Sequence, residues 1–367
     1  MNVDFLPVYR PDLSGNEKLY VNQCLDTTWI SSIGDFIDRF EGGFREITGA
    51  PYAWCVSNGT VALHLAIHCL DIGPGDEVIV PTFTYIASVN TIAQTGAKPV
   101  FVECRSSDWL IDIDDVEAKI TPRTKAIMAV HLYGAVCDMP ALSALAKSRG
   151  LHLIEDCAEA LGSTYDGKHV GLFGDVGTFS FFGNKTVTTG EGGMVVCKDE
   201  ALARRLKTVK GQGQSPTQRY WHVELGFNYR MTNICAAIGL AQIERLPTIL
   251  ARKRAIGDLY RRLCAERLGN IVSFQKLSAN VVSSDWLVSL LLPEGTDRTK
   301  VMGRMQENGV DTRPVFYCAH QMPMYSNSEH FPVSEAIAAH GISLPSYPTL
   351  SSADVARVVE TLANALV

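Results

Sequence analysis

The sequence has no CxxC pair, although ten cysteines are scattered from Cys24 to Cys318. Zinc modules and redox dithiols rely on such pairs, so both classes fall away. Several of these cysteines sit in apolar runs, as in Ala-Trp-Cys-Val at 53–56. They read as buried, reduced thiols of a cytosolic protein. A basic excess is missing too, with 33 Lys and Arg against 39 Asp and Glu and a formal charge of −6. Nucleic-acid binding needs a cationic face that releases counterions, so no such partner is expected. No apolar run reaches the ~20 residues of a membrane helix. Met1 to Asp12 carries neither the basic nor the apolar part of a secretion signal. A cytoplasmic protein without membrane contact is the expectation. Internal repeats and low-complexity tracts are lacking, and no GxGxxG follows a strand-like run, which removes the fingerprint of a nicotinamide site.

Two further motifs fail on inspection. Gly183-Asn184-Lys185-Thr186 has the outline of a P-loop, but Asn184 stands where a phosphate loop needs Gly directly before Lys. His64 and His68 have the spacing of a two-His metal face, but Leu, Ala and Ile surround them. They read as packed helix residues, and no metal is expected.

What is present is an alternation of short β-branched runs with helical stretches between about 50 and 200. Strand-like runs are 52–56, 77–80, 99–102, 126–130, 152–155, 178–182 and 194–197, and helix-like stretches are 61–70, 85–95, 116–120 and 140–148. This predicts an α/β fold with a mostly parallel sheet between helices. Helices at 233–246 and 248–264 follow, broken by Pro247. The remainder, with strands near 286–292 and 312–316 and helices at 299–308 and 352–366, predicts a smaller C-terminal α+β domain. The expected division is a large domain over 1–245, and a linker helix with the small domain over 246–367. The N-terminal helices, 15–26 and 36–47, are grouped with the large domain, although their own pattern leaves either attachment open.

One set of residues has the composition of a pyridoxal 5'-phosphate (PLP) site. Such a site needs a lysine that bonds the cofactor aldehyde and then moves protons. It also needs a carboxylate for the ring nitrogen, an aromatic face for the ring, and a helix N-terminus with hydroxyls for the phosphate. Lys185 lies in a polar, Gly-rich turn after a strand, and Asp156 ends the strand His-Leu-Ile-Glu-Asp. Ser57-Asn58-Gly59-Thr60 caps the next helix, so that Ser57, Gly59 and Thr60 are phosphate candidates with Ser180. Tyr85 opens another helix and is the stacking candidate. Taken singly, each has a bland alternative as a cap, a core aromatic or a surface lysine. Their joint order along the chain is what points to PLP, with pyridoxamine phosphate as its second form.

The run Gly-Thr-Phe-Ser-Phe-Phe-Gly-Asn-Lys-Thr-Val-Thr-Thr-Gly-Glu-Gly-Gly-Met at 177–194 resembles the lysine motif of the sugar-nucleotide aminotransferases, a fold-type-I PLP family. Ile-Glu-Asp-Cys-Ala-Glu-Ala (154–160), Gly-Phe-Asn-Tyr-Arg-Met-Thr-Asn (226–233) and Pro-Gly-Asp-Glu-Val-Ile-Val-Pro-Thr-Phe-Thr-Tyr (74–85) are similar to the same family. The resemblance covers essentially the whole chain. It implies Glu159 beside the cofactor's phenolic oxygen, and Asn228 on the phosphate of a neighbouring subunit, hence a homodimer with shared sites. It further implies L-glutamate as amino donor and a keto sugar nucleotide as acceptor. The stretches 183–190, 218–222 and 312–317 resemble the members that aminate C4 of GDP-4-keto-6-deoxymannose. The related 3-dehydratase has His where this chain has Lys185, so lysine implies transamination. Arg230, Arg313 and His320 are candidate contacts to pyrophosphate or ribose, and Trp29 a candidate wall for the sugar. A dTDP- or UDP-linked sugar, a C3 ketone, a PLP-dependent dehydratase and a non-enzymatic sugar-nucleotide sensor remain as alternatives at this point.

Overall fold

A computed structural model describes residues 5–367. Helices α1 (Glu17–Asp26) and α2 (Asp35–Thr48) precede β1 (Tyr52–Val56), α3 (Gly59–Cys69), β2 (Glu77–Pro81), α4 (Ile86–Gln94) and β3 (Lys98–Val102). Then come α5 (Ile113–Ala118), β4 (Thr124–Val130), α6 (Met139–Arg149), β5 (His152–Asp156), β6 (Thr164–Tyr165), β7 (Lys168–His169), β8 (Val176–Ser180) and β9 (Gly193–Cys197). After α7 (Glu200–Lys210), α8 (Asn233–Glu244) and α9 (Leu246–Leu268) come β10 (Ser273–Phe274), β11 (Val281–Val282), β12 (Val288–Leu291) and α10 (Arg298–Glu307). The chain closes with β13 (Arg313–Pro314), α11 (Pro332–His340), β14 (Gly341–Leu344) and α12 (Ser352–Ala365).

Seven strands form one sheet in the order β1-β9-β8-β5-β4-β2-β3, and β9 runs against both its neighbours while the rest are parallel. The inner strands are almost wholly buried, as β2 and β9 show at all five positions, which is why they read as continuous apolar runs. The fold is therefore the expected α/β layer structure. Because β1, β5 and β8 share a direction, their carboxyl ends deliver Ser57, Asp156 and the Lys185 loop to one edge, where such sheets bind ligands. The strand expected at 178–182 lies two residues earlier. Gly177 sits inside it because a Cβ there would come within 2.4 Å of the Gly171 Cα, and Phe181 and Phe182 leave the sheet to start the lysine loop.

Helix α2 packs against the large sheet. Phe36, Phe40 and Phe44 make a buried stripe on α2 at four-residue spacing, and Phe40 and Phe44 meet Phe181 and Phe179 edge-on at 5.2 and 5.1 Å. Pro247 stands in the first turn of α9, and α8 and α9 meet at 64°. Leu246 and Leu250 of α9 join the large core, whereas Ile256, Tyr260 and Cys264 join a second core. That second core packs beneath an antiparallel sheet ordered β10-β12-β14-β13. Helices α7 and α11 and strand β14 were not anticipated, nor was the ribbon β11-β6-β7, whose strands of two residues are too short for any periodicity. Among the described residues, no single helix is long and apolar enough to cross a membrane.

Candidate active site

A cavity of about 900 Å³ opens at this edge, lined by Gly59, Thr60, Tyr85, Asp156, Glu159, Ser180, Lys185 and Arg313 among others. Its floor is the end of β5. Asp156 is 5% exposed and pairs in register with Thr178 of β8. Its Oδ2 accepts from Ser88 Oγ at 2.7 Å and its Oδ1 from the Ala158 amide at 3.1 Å. These two donors fix the direction of the carboxylate.

Lys185 reaches into the cavity from the turn after β8. Its Nζ lies 3.6 Å from Glu159 Oε1 and 4.0 Å from the centre of the Trp286 ring. Burial pushes the Lys185 amine down, and Glu159 and Asp156 pull it part of the way back. Burial likewise pushes the Glu159 carboxyl up, against the pull of Lys185 and of the Tyr133 amide, which donates to Oε2 at 2.9 Å. Both shifts bring the pair closer to sharing a proton, the state a proton-transfer site requires.

The phosphate candidate sits at the tip of α3. Asn58 is the cap, its side chain accepting from the Val61 amide at 2.9 Å. The first amides of the helix, those of Gly59 and Thr60, have no acceptor in a preceding turn. Ser180 approaches this tip so closely that a Cβ on Gly59 would lie 2.7 Å from its Cβ. A Cβ on Gly193 would likewise lie 2.5 Å from the Asn58 carbonyl oxygen. Tyr85 stands at the mouth ahead of α4, tilted against Phe316 at 5.6 Å.

Other expected residues lie elsewhere. Ser57 is in the bend before α3, its amide donating to the Tyr229 carbonyl at 2.8 Å. In the extended stretch 227–230, Phe227 and Tyr229 line the cavity beside His64. Asn228 does not line it, and its Oδ1 accepts from the Arg230 guanidinium at 3.2 Å. Trp29 is 56% exposed and lines a separate hollow with Thr27, Phe36 and Arg39, away from the lysine. His320 must be corrected as a substrate contact. It is 3% exposed, and its ring nitrogens are taken by Thr82 Oγ1 at 2.6 Å and Glu335 Oε1 at 3.1 Å. Its work is to tie the end of β2 to α11.

Four residues of the site escaped the sequence reading: Ser88, Tyr133, Trp286 and Phe316. Ser88 was within reach, since it lies one helical turn after Tyr85 and so faces the same cleft. Tyr133 stacks on both Trp286 and Phe316, at 6.1 and 5.3 Å, a contact across distant segments that leaves no local signal. Beneath the site, His131, Glu155 and Cys157 form a buried cluster. Glu155 accepts from the amides of Gly171, Phe173 and Gly174 and faces His131 Nε2, while His131 Nδ1 takes the Cys137 amide. The protein's own donors thus occupy the cluster, which pins the loop before β8.

This geometry has counterparts. Residues 11–363 match the DegT/DnrJ/EryC1/StrS aminotransferase family. The chain is 52% identical over 359 residues to the GDP-perosamine synthase of Escherichia coli O157:H7, covering 98% of each chain. It is 48% identical over 364 residues to that of Vibrio cholerae, again with 98% of each covered. The PLP-form of Spr1654 from Streptococcus pneumoniae superposes with a TM-score of 0.92 at 30% identity, covering 100% of this chain and 99% of the other. With its lysine, its strand-end aspartate and its helix tip arranged on that fold, the chain belongs to the DegT/DnrJ/EryC1/StrS aminotransferase family.

Proposed function

We propose that this chain uses PLP to transfer an amino group from L-glutamate to C4 of GDP-4-keto-6-deoxymannose, giving GDP-perosamine and 2-oxoglutarate. The observation that carries the reading is the placement of Lys185 Nζ in one cavity with buried Asp156, buried Glu159 and the α3 tip. The high identity to GDP-perosamine synthases over nearly the full length supports the choice of sugar.

The donor set fits the cofactor. The α3 tip beside Ser180 is a cradle that a Cβ on Gly59 would fill, and its amides and dipole suit a phosphate. Gly59, Thr60 and Ser180 would hold that group, with Asp156 at the ring nitrogen, Glu159 at the phenolic oxygen and Tyr85 on the ring face. When bound, PLP supplies a cationic ring that stabilises negative charge on the carbon next to the transferred nitrogen. The chain's residues do the rest. Asp156, fixed by Ser88 and the Ala158 amide, keeps the ring nitrogen protonated. The Lys185 amine takes the proton from the α-carbon of glutamate and later delivers a proton to C4 of the sugar. Arg313, at the cavity mouth, suits the pyrophosphate as a planar fork of donors.

The same reading makes the protein a cytoplasmic homodimer with shared sites. Its support is the alternation at 227–230, where Phe227 and Tyr229 face their own cavity and Asn228 and Arg230 do not. Asn228 then serves the phosphate of the partner subunit. The test is incubation with GDP-4-keto-6-deoxymannose and L-glutamate, followed by mass spectrometry. The amino sugar and 2-oxoglutarate are expected. Product only from a dTDP- or UDP-linked sugar would overturn the substrate, and a sugar product that has lost a hydroxyl and carries no new nitrogen would show a dehydratase.

A further inference from the structure

The Lys185 loop is gripped by two aromatic residues from distant parts of the chain. Tyr9 Oη donates to the Lys185 carbonyl at 2.7 Å, and Trp286 Nε1 donates to the Asn184 carbonyl at 2.7 Å. The face of the same indole lies 4.0 Å from Lys185 Nζ. Trp286 is 3% exposed, with its polar atom committed to the loop and its ring to the ammonium. Tyr133 stacks on that indole with planes 12° apart and gives its amide to Glu159. The two groups that receive the ammonium, carboxylate and indole, are therefore fixed relative to each other. Behind them lies Lys253 of α9, buried, with Nζ donating to the Trp286 carbonyl at 2.9 Å and the Ser346 carbonyl at 2.8 Å. The same Nζ is 5.1 Å from the centre of the Tyr9 ring. One buried amine thus braces both aromatics.

We propose that Trp286 is a positioning residue for Lys185: its N–H fixes the lysine loop, its face holds the ε-ammonium whenever that group is free, and Lys253 braces the indole from behind. This rests on Lys185 being the cofactor lysine. The titratable groups acting on the amine are Asp156 at the end of β5 and Glu159 just after it, while the Tyr9 hydroxyl is committed to the Lys185 carbonyl and the Tyr133 hydroxyl to the Phe316 amide. Tyr85 and Arg313 line the same cavity. Among the described residues, only the indole stabilises the cation without being a charge or a proton donor at that position. A cation–π contact is worth enough to move the ammonium's midpoint by about half a unit to one and a half units.

The test is PLP uptake by the cofactor-free full-length chain, followed by absorbance across a pH series. Only the neutral amine captures the aldehyde, with loss of water, so the rate rises through the ammonium's midpoint. Trp286→Leu is expected to lower that midpoint by about half a unit to one and a half units. Trp286→Phe keeps an aromatic face and loses the N–H, so the midpoint should stay while the plateau rate falls. If Trp286→Leu does not give folded protein by thermal melting, Trp286→Met carries the same comparison. A midpoint equal to wild type in the Leu or Met variant overturns the proposal. Lys185→Ala separates the two readings: an imine to PLP that borohydride fixes covalently to that variant would mean another lysine is used, and the assignment of Lys185 would fall instead.

Discussion

Replacing Gly59 by alanine adds one methyl at the tightest point of the phosphate cradle. The new Cβ would stand 2.7 Å from Ser180 Cβ, 3.1 Å from its Oγ and 3.2 Å from its Cα. Carbon atoms rest at about 3.5–4.0 Å, so the α3 tip and the end of β8 must part by roughly 1 Å. Two of the atoms met are the first carbons of a strand residue, so no flexible side chain can swing away. Overpacking of this kind costs about 1–3 kcal/mol, and at ~1.4 kcal/mol per tenfold the PLP dissociation constant should rise by about 5- to 150-fold. Titration of the cofactor-free protein with PLP, read by absorbance, measures it directly. Gly183→Ala is the control in the lysine loop, where a Cβ meets nothing within 4 Å, and its affinity should stay at the wild-type level. Unchanged PLP affinity in Gly59→Ala would refute the α3 tip and Ser180 as the phosphate site.

Burial pushes the Lys253 amine down to about 7, with Asp285 pulling the other way. Between about pH 7 and 10 the unfolded chain therefore binds the extra proton, and stability rises with pH. The wild type should gain about 1.4 kcal/mol per pH unit relative to Lys253→Met in that window, measured by urea unfolding; a constant difference would contradict it. Mixed dimers of a Lys185→Ala protomer and an Asn228→Ala protomer should keep one intact site of the two, and so about half the wild-type activity, if Asn228 acts across the interface. No activity above that of either parent would place Asn228 in its own protomer's site.

Much of the site was legible because its residues end or begin regular elements. Asp156 closes an apolar strand, Asn58-Gly59-Thr60 opens a helix, and Lys185 follows Phe-Ser-Phe-Phe in a polar turn. Strand ends and helix caps are written locally, so the sequence shows them. Trp286 and Tyr133 were not legible, since what makes them part of the site is stacking between segments more than 150 residues apart in the chain. His320 was misread for the opposite reason. A histidine in a loop after an arginine motif suggests a ligand contact, but here Thr82 and Glu335 satisfy both its nitrogens in the interior. Strand β8 begins two residues before the run expected at 178–182, and takes in Gly177, which the close approach of Gly171 requires.

The central claim is that Lys185 moves the proton in amino transfer, and the first half of the reaction isolates that step. PLP-loaded enzyme is mixed with L-glutamate alone, and 2-oxoglutarate is quantified as the absorbance changes. The wild type should release about one 2-oxoglutarate per bound PLP, and Lys185→Ala, loaded with the same cofactor, should release none on that timescale. Release from Lys185→Ala at the wild-type rate would contradict the claim and assign the proton to another group.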